Sequence, residues 1–205
     1  MSNAVRNETV NRTRKLVGTA ILVALVLILQ FVSSFIKVGP VSITLVLLPI
    51  IVGAVIYGRT TGIILGAVFA LMTIINAVTG ADAGGYILMT RNPVGTIAIV
   101  LVKSIGAGWC AAEIARFFEK KNLYLGVVLA AIACPVVNTG IFSIGMMTLF
   151  QDTLAEWSAA AGHTNVVVYV LVGLVGVNFL IELLVDVVLS PIIVRVIRAG
   201  KKMQA

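Results

Sequence analysis

The stretch LVGTAILVALVLILQFVSSFI, from Leu16 to Ile36, contains no charged side chain. It matches the roughly 20 residues that an α-helix needs to cross a hydrocarbon core about 30 Å thick. The polar, basic segment MSNAVRNETVNRTRK (residues 1–15) precedes it, and Lys37-Val38-Gly39-Pro40 breaks it. The run is too long for the core of a signal peptide, and no small-residue cleavage site follows. It reads as a first transmembrane helix with a cytoplasmic tail before it.

Working outward, the same kind of run recurs until it fills the chain. A short second helix is expected over Ser42–Tyr57, with Pro49 inside it, and Gly58-Arg59-Thr60 turns the chain into a third over Thr61–Val78. The glycine-rich stretch Thr79–Arg91 reads as a long loop. Pro93 then opens a fourth helix, to Phe118, a position where proline's missing N–H costs nothing. Glu119-Lys120-Lys121-Asn122 separates it from a fifth helix, Leu123–Phe150, which contains Pro135. A polar loop, Gln151–Asn165, leads to a sixth helix, Val166–Val196, and the tail RAGKKMQA follows. The expected fold class is all-α integral membrane: a bundle of about six transmembrane helices over residues 16–197, with tails at 1–15 and 198–205.

Composition agrees. Of 205 residues, 60% are hydrophobic and 11% charged, and mean hydropathy is +1.12. A soluble domain of this size has too little interior to hide that much apolar surface. The formal charge of +7 does not point to nucleic acid, because the basic residues sit at the ends of apolar runs and not on one helix face beside aromatic platforms. They set the orientation instead. With the N-terminus inside, twelve of the 15 Lys and Arg fall on the cytoplasmic side: Arg6, Arg12, Arg14, Lys15, Arg59, Arg116, Lys120, Lys121, Arg195, Arg198, Lys201 and Lys202. Lys37 and Arg91 fall outside and Lys103 within the fourth helix. The positive-inside rule therefore puts both termini in the cytoplasm. The outer connections are longer and carry Asp82, Tyr86, Asp152, Glu156, Trp157 and His163, as expected where something is captured from outside.

Polar groups within a bilayer are expensive, about 2.5–3.5 kcal/mol for a central charge on insertion scales, so those that persist carry information. Lys103 lies about ten residues into the fourth helix, roughly 15 Å along it, too deep to snorkel. Asn92, Thr96, Ile99 and Lys103 follow 4-3-4 spacing on one face. This makes a polar line from the outer end to mid-membrane. Asn178, Glu182 and Asp186 share a face of the sixth helix at i, i+4 and i+8. Asn138 follows Pro135 on the fifth, where its amide has a competing structural use in satisfying a freed carbonyl. The candidate substrate-binding residues are Asn92, Thr96, Lys103, Asn138, Asn178 and Glu182, with Tyr86 from the outer loop. A structural ion pair between Lys103 and Glu182 or Asp186 is the competing reading and is compatible with a ligand. Asp186 is expected to pair with a basic residue at the inner surface, and Glu113 with Arg116.

No catalytic set stands out. The chain lacks a G-x-x-x-x-G-K-[ST] phosphate loop, an H-E-x-x-H and a G-x-S-x-G, so neither nucleotide hydrolysis nor the commoner hydrolase chemistries are indicated. Cys110 and Cys134 lie in apolar runs without metal or redox spacing, and His163 has no second histidine. No metal or cofactor is expected. Ala20 and Ala24 in the first helix, and Gly62, Gly66 and Ala70 in the third, have the small-xxx-small spacing that lets helices approach closely.

Taken together, these features resemble the substrate-binding S components of energy-coupling factor (ECF) vitamin transporters. The resemblance runs from about Arg12 to the end. It rests on six helices in a short chain, the basic entry to helix one, Ala20-x-x-x-Ala24, the Pro49 helix ending in Tyr57-Gly58-Arg59-Thr60-Thr61-Gly62, Gly66, and Asn92-Pro93. It implies a multi-pass protein of the bacterial plasma membrane. It implies capture of a vitamin-like molecule near the outer face, and association with a transmembrane coupling subunit and two cytoplasmic ATPases. Ala20 and Ala24 would contact the coupling subunit. Lys103 favours an anionic ligand, and the chain is similar to pantothenate-type components. Folate and riboflavin remain open, although few aromatics are expected on helices four to six to stack large rings, and a thiamin cation fits Lys103 poorly. A membrane scaffold without a ligand is the alternative, but it leaves Lys103 unexplained.

The orientation is testable by labelling. In a background without Cys110 and Cys134, a cysteine introduced at 152–165 should react with an impermeant maleimide on intact cells, and one at 119–122 should not. The reverse pattern would overturn the orientation.

Overall fold

Hydrocarbon offers no hydrogen bonds, so backbone groups inside a bilayer must pair within their own segment. The chain meets this with helices along most of its length. The computed structural model describes residues 3–33, 37–38, 41–42, 44–118, 121–174 and 176–202. Helix α1 spans Asn3–Ser33, and a minimal antiparallel pair, Lys37–Val38 with Val41–Ser42, follows it. Then come α2 (Leu47–Tyr57), α3 (Arg59–Thr79), α4 (Ala83–Arg91), α5 (Pro93–Phe118), α6 (Leu123–Leu149) and α7 (Gln151–Ala160). The last span combines α8 (Val166–Val168), a π-helical turn at Tyr169–Leu174, and α9 (Gly176–Lys202). Five helical segments are long and apolar enough to cross a membrane, and α2 is a shorter apolar helix. This is the all-α membrane bundle expected.

Three boundaries differ from the sequence reading. The first helix begins at Asn3, so much of the polar tail is helical. The stretches read as loops at 79–91 and 151–165 contain α4 and α7. Both are short and only partly apolar, a pattern that composition assigns to loops. Gly39, Pro40, Glu119 and Lys120, where breaks were expected, lie outside the described residues.

Local chemistry fixes the turns. Gly58 joins α2 to α3 with no intervening loop at φ 85°, and Gly80 ends α3 at φ 78°, backbone conformations that glycine adopts without steric cost. Asn122 caps α6, its side chain accepting from the N–H groups of Tyr124 (3.0 Å) and Leu125 (3.2 Å). Asn165 caps α8 in the same way.

The helices pack closely where side chains are absent. A Cβ built on Gly108 of α5 would lie 2.2 Å from the Gly62 carbonyl oxygen of α3, one on Gly62 would lie 2.5 Å from that of Gly108, and one on Gly66 would lie 2.4 Å from that of Ser104. The glycine spacing of the third helix is thus a backbone contact surface, and it holds α3 against the α5 backbone beside Lys103. Below this level a buried cluster includes Leu47, Ile50, Phe69, Ala111, Ala130 and Cys134. A second cluster, with Leu88, Ile99, Met146, Phe150 and Tyr169, lies at the end that carries α4 and α7. Arg59 at the start of α3 pairs with Glu113 of α5. That replaces the expected Glu113–Arg116 pair, because Arg59 reaches the carboxylate across the α3–α5 contact.

Gly108→Ala should lower the melting temperature of the detergent-purified protein by several degrees, since forcing a methyl against immovable backbone costs about 1–3 kcal/mol. Gly140 lies mid-helix in α6 with nothing within 4 Å of a built Cβ. Gly140→Ala should therefore stabilise by up to about 1 kcal/mol. Equal melting temperatures for the two variants would refute the close-contact account.

Candidate functional site

The inward face of α5 places Thr96 and Lys103 toward α6 and α9, and a cavity opens where they meet. Its lining includes Thr44, Thr96, Lys103, Asn138, Asn178 and Glu182. Asp82, Gly84, Gly85 and Leu88 around α4, with Trp157 of α7, line it at the connecting-helix end. Polar groups drawn from three long helices therefore converge on one space with largely apolar walls, the composition expected of a ligand pocket.

The charges in it are arranged unevenly. Glu182 is 5% exposed, and its Oε1 accepts the backbone N–H of Thr44 at 2.9 Å. Lys103 forms none of the ion pairs shorter than 4.0 Å found among the described residues. Its Nζ instead lies 5.5 Å from the ring centroid of Phe69 and 5.3 Å from that of Phe142. Asn138 and Asn178 are 4% and 8% exposed, and the Oδ1 of each has no hydrogen-bond partner within the protein. A buried amide oxygen left so costs about 1–3 kcal/mol. The cavity is thus lined by a cation and by two asparagines whose amide oxygens the fold leaves unpaired.

The connecting helices are tied together across the mouth. Arg91 of α4 forks onto Glu156 of α7, with Nη1 to Oε1 at 3.0 Å, and also donates to Thr153 Oγ1 at 3.2 Å. The hydrogen bonds from Arg91 hold the Glu156 carboxyl below its usual range, so this pair stays ionised at physiological pH.

Residues 14–194 match the protein family described as ECF transporter, substrate-specific component. The chain belongs to that family. It is also similar to the pantothenic acid transporter PanT of Lactococcus lactis subsp. cremoris (strain MG1363), with 30% identity over 188 residues that cover 85% of this chain and 89% of that protein. ECF substrate-specific components bind a vitamin and work with an energy-coupling module, and the chain is accordingly a multi-pass cell-membrane protein.

Five of the seven substrate-binding candidates line the cavity of this S component: Thr96, Lys103, Asn138, Asn178 and Glu182. Asn92 does not. Its Oδ1 accepts the Gly95 N–H at 2.9 Å and its carbonyl accepts from Thr96 Oγ1, so it caps α5. Tyr86 is 47% exposed and lies outside the lining. Asp186 is buried at 3% with Oδ2 unpartnered, and among the described residues no cation lies within 4.0 Å of it. The expected inner-surface partner is not found among the described residues. Ala20 and Ala24 are both exposed on α1. Phe142, Phe179 and Trp157 also line the cavity, so aromatic side chains are present where few were expected, and scarcity of rings no longer argues against a ring-bearing ligand. Thr44 and the two phenylalanines were not among the candidates, because an uncharged residue in an apolar run gives no sign of what it faces.

Proposed function

We propose that this S component captures pantothenate from outside the cell and delivers it for ATP-driven uptake. The observation that carries the reading is Lys103, a mid-membrane cation with no carboxylate within 4.0 Å among the described residues, facing a cavity that is also lined by Asn138 and Asn178. Pantothenate combines one carboxylate with hydroxyl and amide donors. The carboxylate suits the ammonium, and the donors suit Asn138 and Asn178. The similarity to a pantothenic acid transporter supports the same choice. Glu182, already bonded to Thr44, fixes one wall and is a further acceptor for a ligand hydroxyl, while Thr96 contributes polarity at the α5 wall.

The cavity end, with α4 and α7, faces outward on this reading, and the basic residues Arg59, Arg116 and Lys121 lie at the opposite, cytoplasmic end with both termini. The sequence contains no phosphate-loop motif, so ATP is hydrolysed by partners: a transmembrane coupling subunit and two cytoplasmic ATPases. The exposed Ala20 and Ala24 form a close-approach surface on α1 for the coupling subunit.

Lys103→Met preserves the bulk of the stem and removes the charge. It should weaken pantothenate binding by about 2–5 kcal/mol, the range for removing one member of a buried charged contact, as read by calorimetric titration in detergent. Near-native affinity in a well-folded variant would make Lys103 structural and remove the case for an anionic ligand. Leucine at both Ala20 and Ala24 should leave that titration unchanged and abolish uptake by the assembled transporter. Equal loss of binding would place α1 in the pocket's support and not at a docking face.

A further inference from the structure

Lys103 is held by aromatic faces from two different helices, Phe69 of α3 and Phe142 of α6, at 5.5 and 5.3 Å. Two carboxylates, Glu182 and Asp82, line the same cavity, and neither lies within 4.0 Å of Lys103. The Glu182 Oε1 is occupied by the Thr44 N–H. The two kinds of partner differ in what they leave over. A carboxylate consumes N–H donors and cancels the charge, so an incoming anion has to displace it in a low-dielectric space. A ring face attracts the cation through its quadrupole, takes up no directed donor and carries no net charge. When an anion arrives the rings stay where they are, and the ammonium meets it already oriented with its donors unspent.

We propose that Phe69 and Phe142 are positioning residues for substrate selection: their ring faces hold the Lys103 ammonium oriented and free of a carboxylate partner, so that the site selects a ligand bearing a carboxylate over an uncharged one of the same skeleton. This rests on the pantothenate reading above. Neither ring need touch the ligand's carboxylate. Both act through Lys103. The packing supports the assignment, because Phe69 is 2% exposed in the core cluster, and Gly66, one turn before it, touches the Ser104 backbone beside Lys103. One ring and the lysine backbone are therefore fixed by the same α3–α5 contact, while Phe142 closes the arrangement from α6 within the cavity wall.

The test compares two ligands, pantothenate and its primary-alcohol analogue, by titration against purified protein. Selectivity is the ratio of their affinities. Phe142→Leu keeps an apolar side chain and removes the quadrupole. It should lower the ratio about 5- to 30-fold, the size of a desolvated cation–π contact, chiefly through pantothenate. Phe142→Tyr, which retains the ring face, should restore the ratio to within about 2-fold of wild type. Should the leucine variant not fold, 3,4,5-trifluorophenylalanine at position 142 keeps the ring's shape while withdrawing electron density from its face, and should lower the ratio in the same direction. If both ligands lose affinity equally, or neither does, the rings serve packing only and the inference falls while the pantothenate reading stands. If wild-type protein binds neither ligand, the pantothenate reading itself fails and takes this inference with it.

Discussion

A charged ammonium inside a hydrocarbon-spanning bundle is the constraint on which the rest of the arrangement turns. Lys103 sits well inside its span, on the wall of a cavity, so the protein has to surround it with something. The surroundings are two aromatic faces, a cavity, and a carboxylate, Glu182, that accepts a backbone N–H instead. A residue placed only to hold helices together would be more stable with a carboxylate at hydrogen-bond distance, since an isolated charge in low dielectric is costly. Its absence here is informative because a suitable group, Glu182, is in the same cavity and is turned to a backbone N–H instead.

Close helix packing makes that placement possible. Gly62, Gly66 and Gly108 let the backbones of α3 and α5 touch, which brings Phe69 up to Lys103 without a gap for lipid. In a membrane no hydrophobic force drives helices together, and contact area between small residues takes its place. The same contact brings Arg59 to Glu113 at the other end of α5. One strip of absent side chains thus sets both the α3–α5 register and the position of the cation.

Much of this was legible in the sequence, and the residues show why. The spans could be read because a run of about 20 apolar residues fits the thickness of a bilayer and little else. Lys103, Asn138, Asn178 and Glu182 could be singled out because polarity at mid-span is rare and must have a cause. The same reasoning put Asn92 at the outer end of its helix but could not tell that its side chain caps α5, the first use of asparagine at a helix start. It also gave Asp186 a basic partner by proximity to the inner surface alone, and none lies within 4.0 Å of it among the described residues. The contacts Thr44–Glu182, Arg59–Glu113 and Lys103–Phe142 join residues far apart in the chain. No local pattern encodes them, so only the packed fold reveals them.

The described ion pairs divide by location in a way that separates structure from function. Arg12–Glu8, Arg59–Glu113 and Arg91–Glu156 are all made at least partly in the open, near helix ends, where a pair adds little stability but fixes geometry. The groups that would gain most from pairing, Lys103 and the amide oxygens of Asn138 and Asn178, are the deep ones, and they are left without a protein partner at the level of ion pairs or acceptor hydrogen bonds. Folding alone would favour the opposite distribution, because an unmet polar group costs more the drier its site. On the pantothenate reading, the unmet groups of the cavity-lining residues Lys103, Asn138 and Asn178 find their partners in the ligand, whereas Ser104 Oγ and Asp186 Oδ2, equally unmet, belong to residues outside the lining.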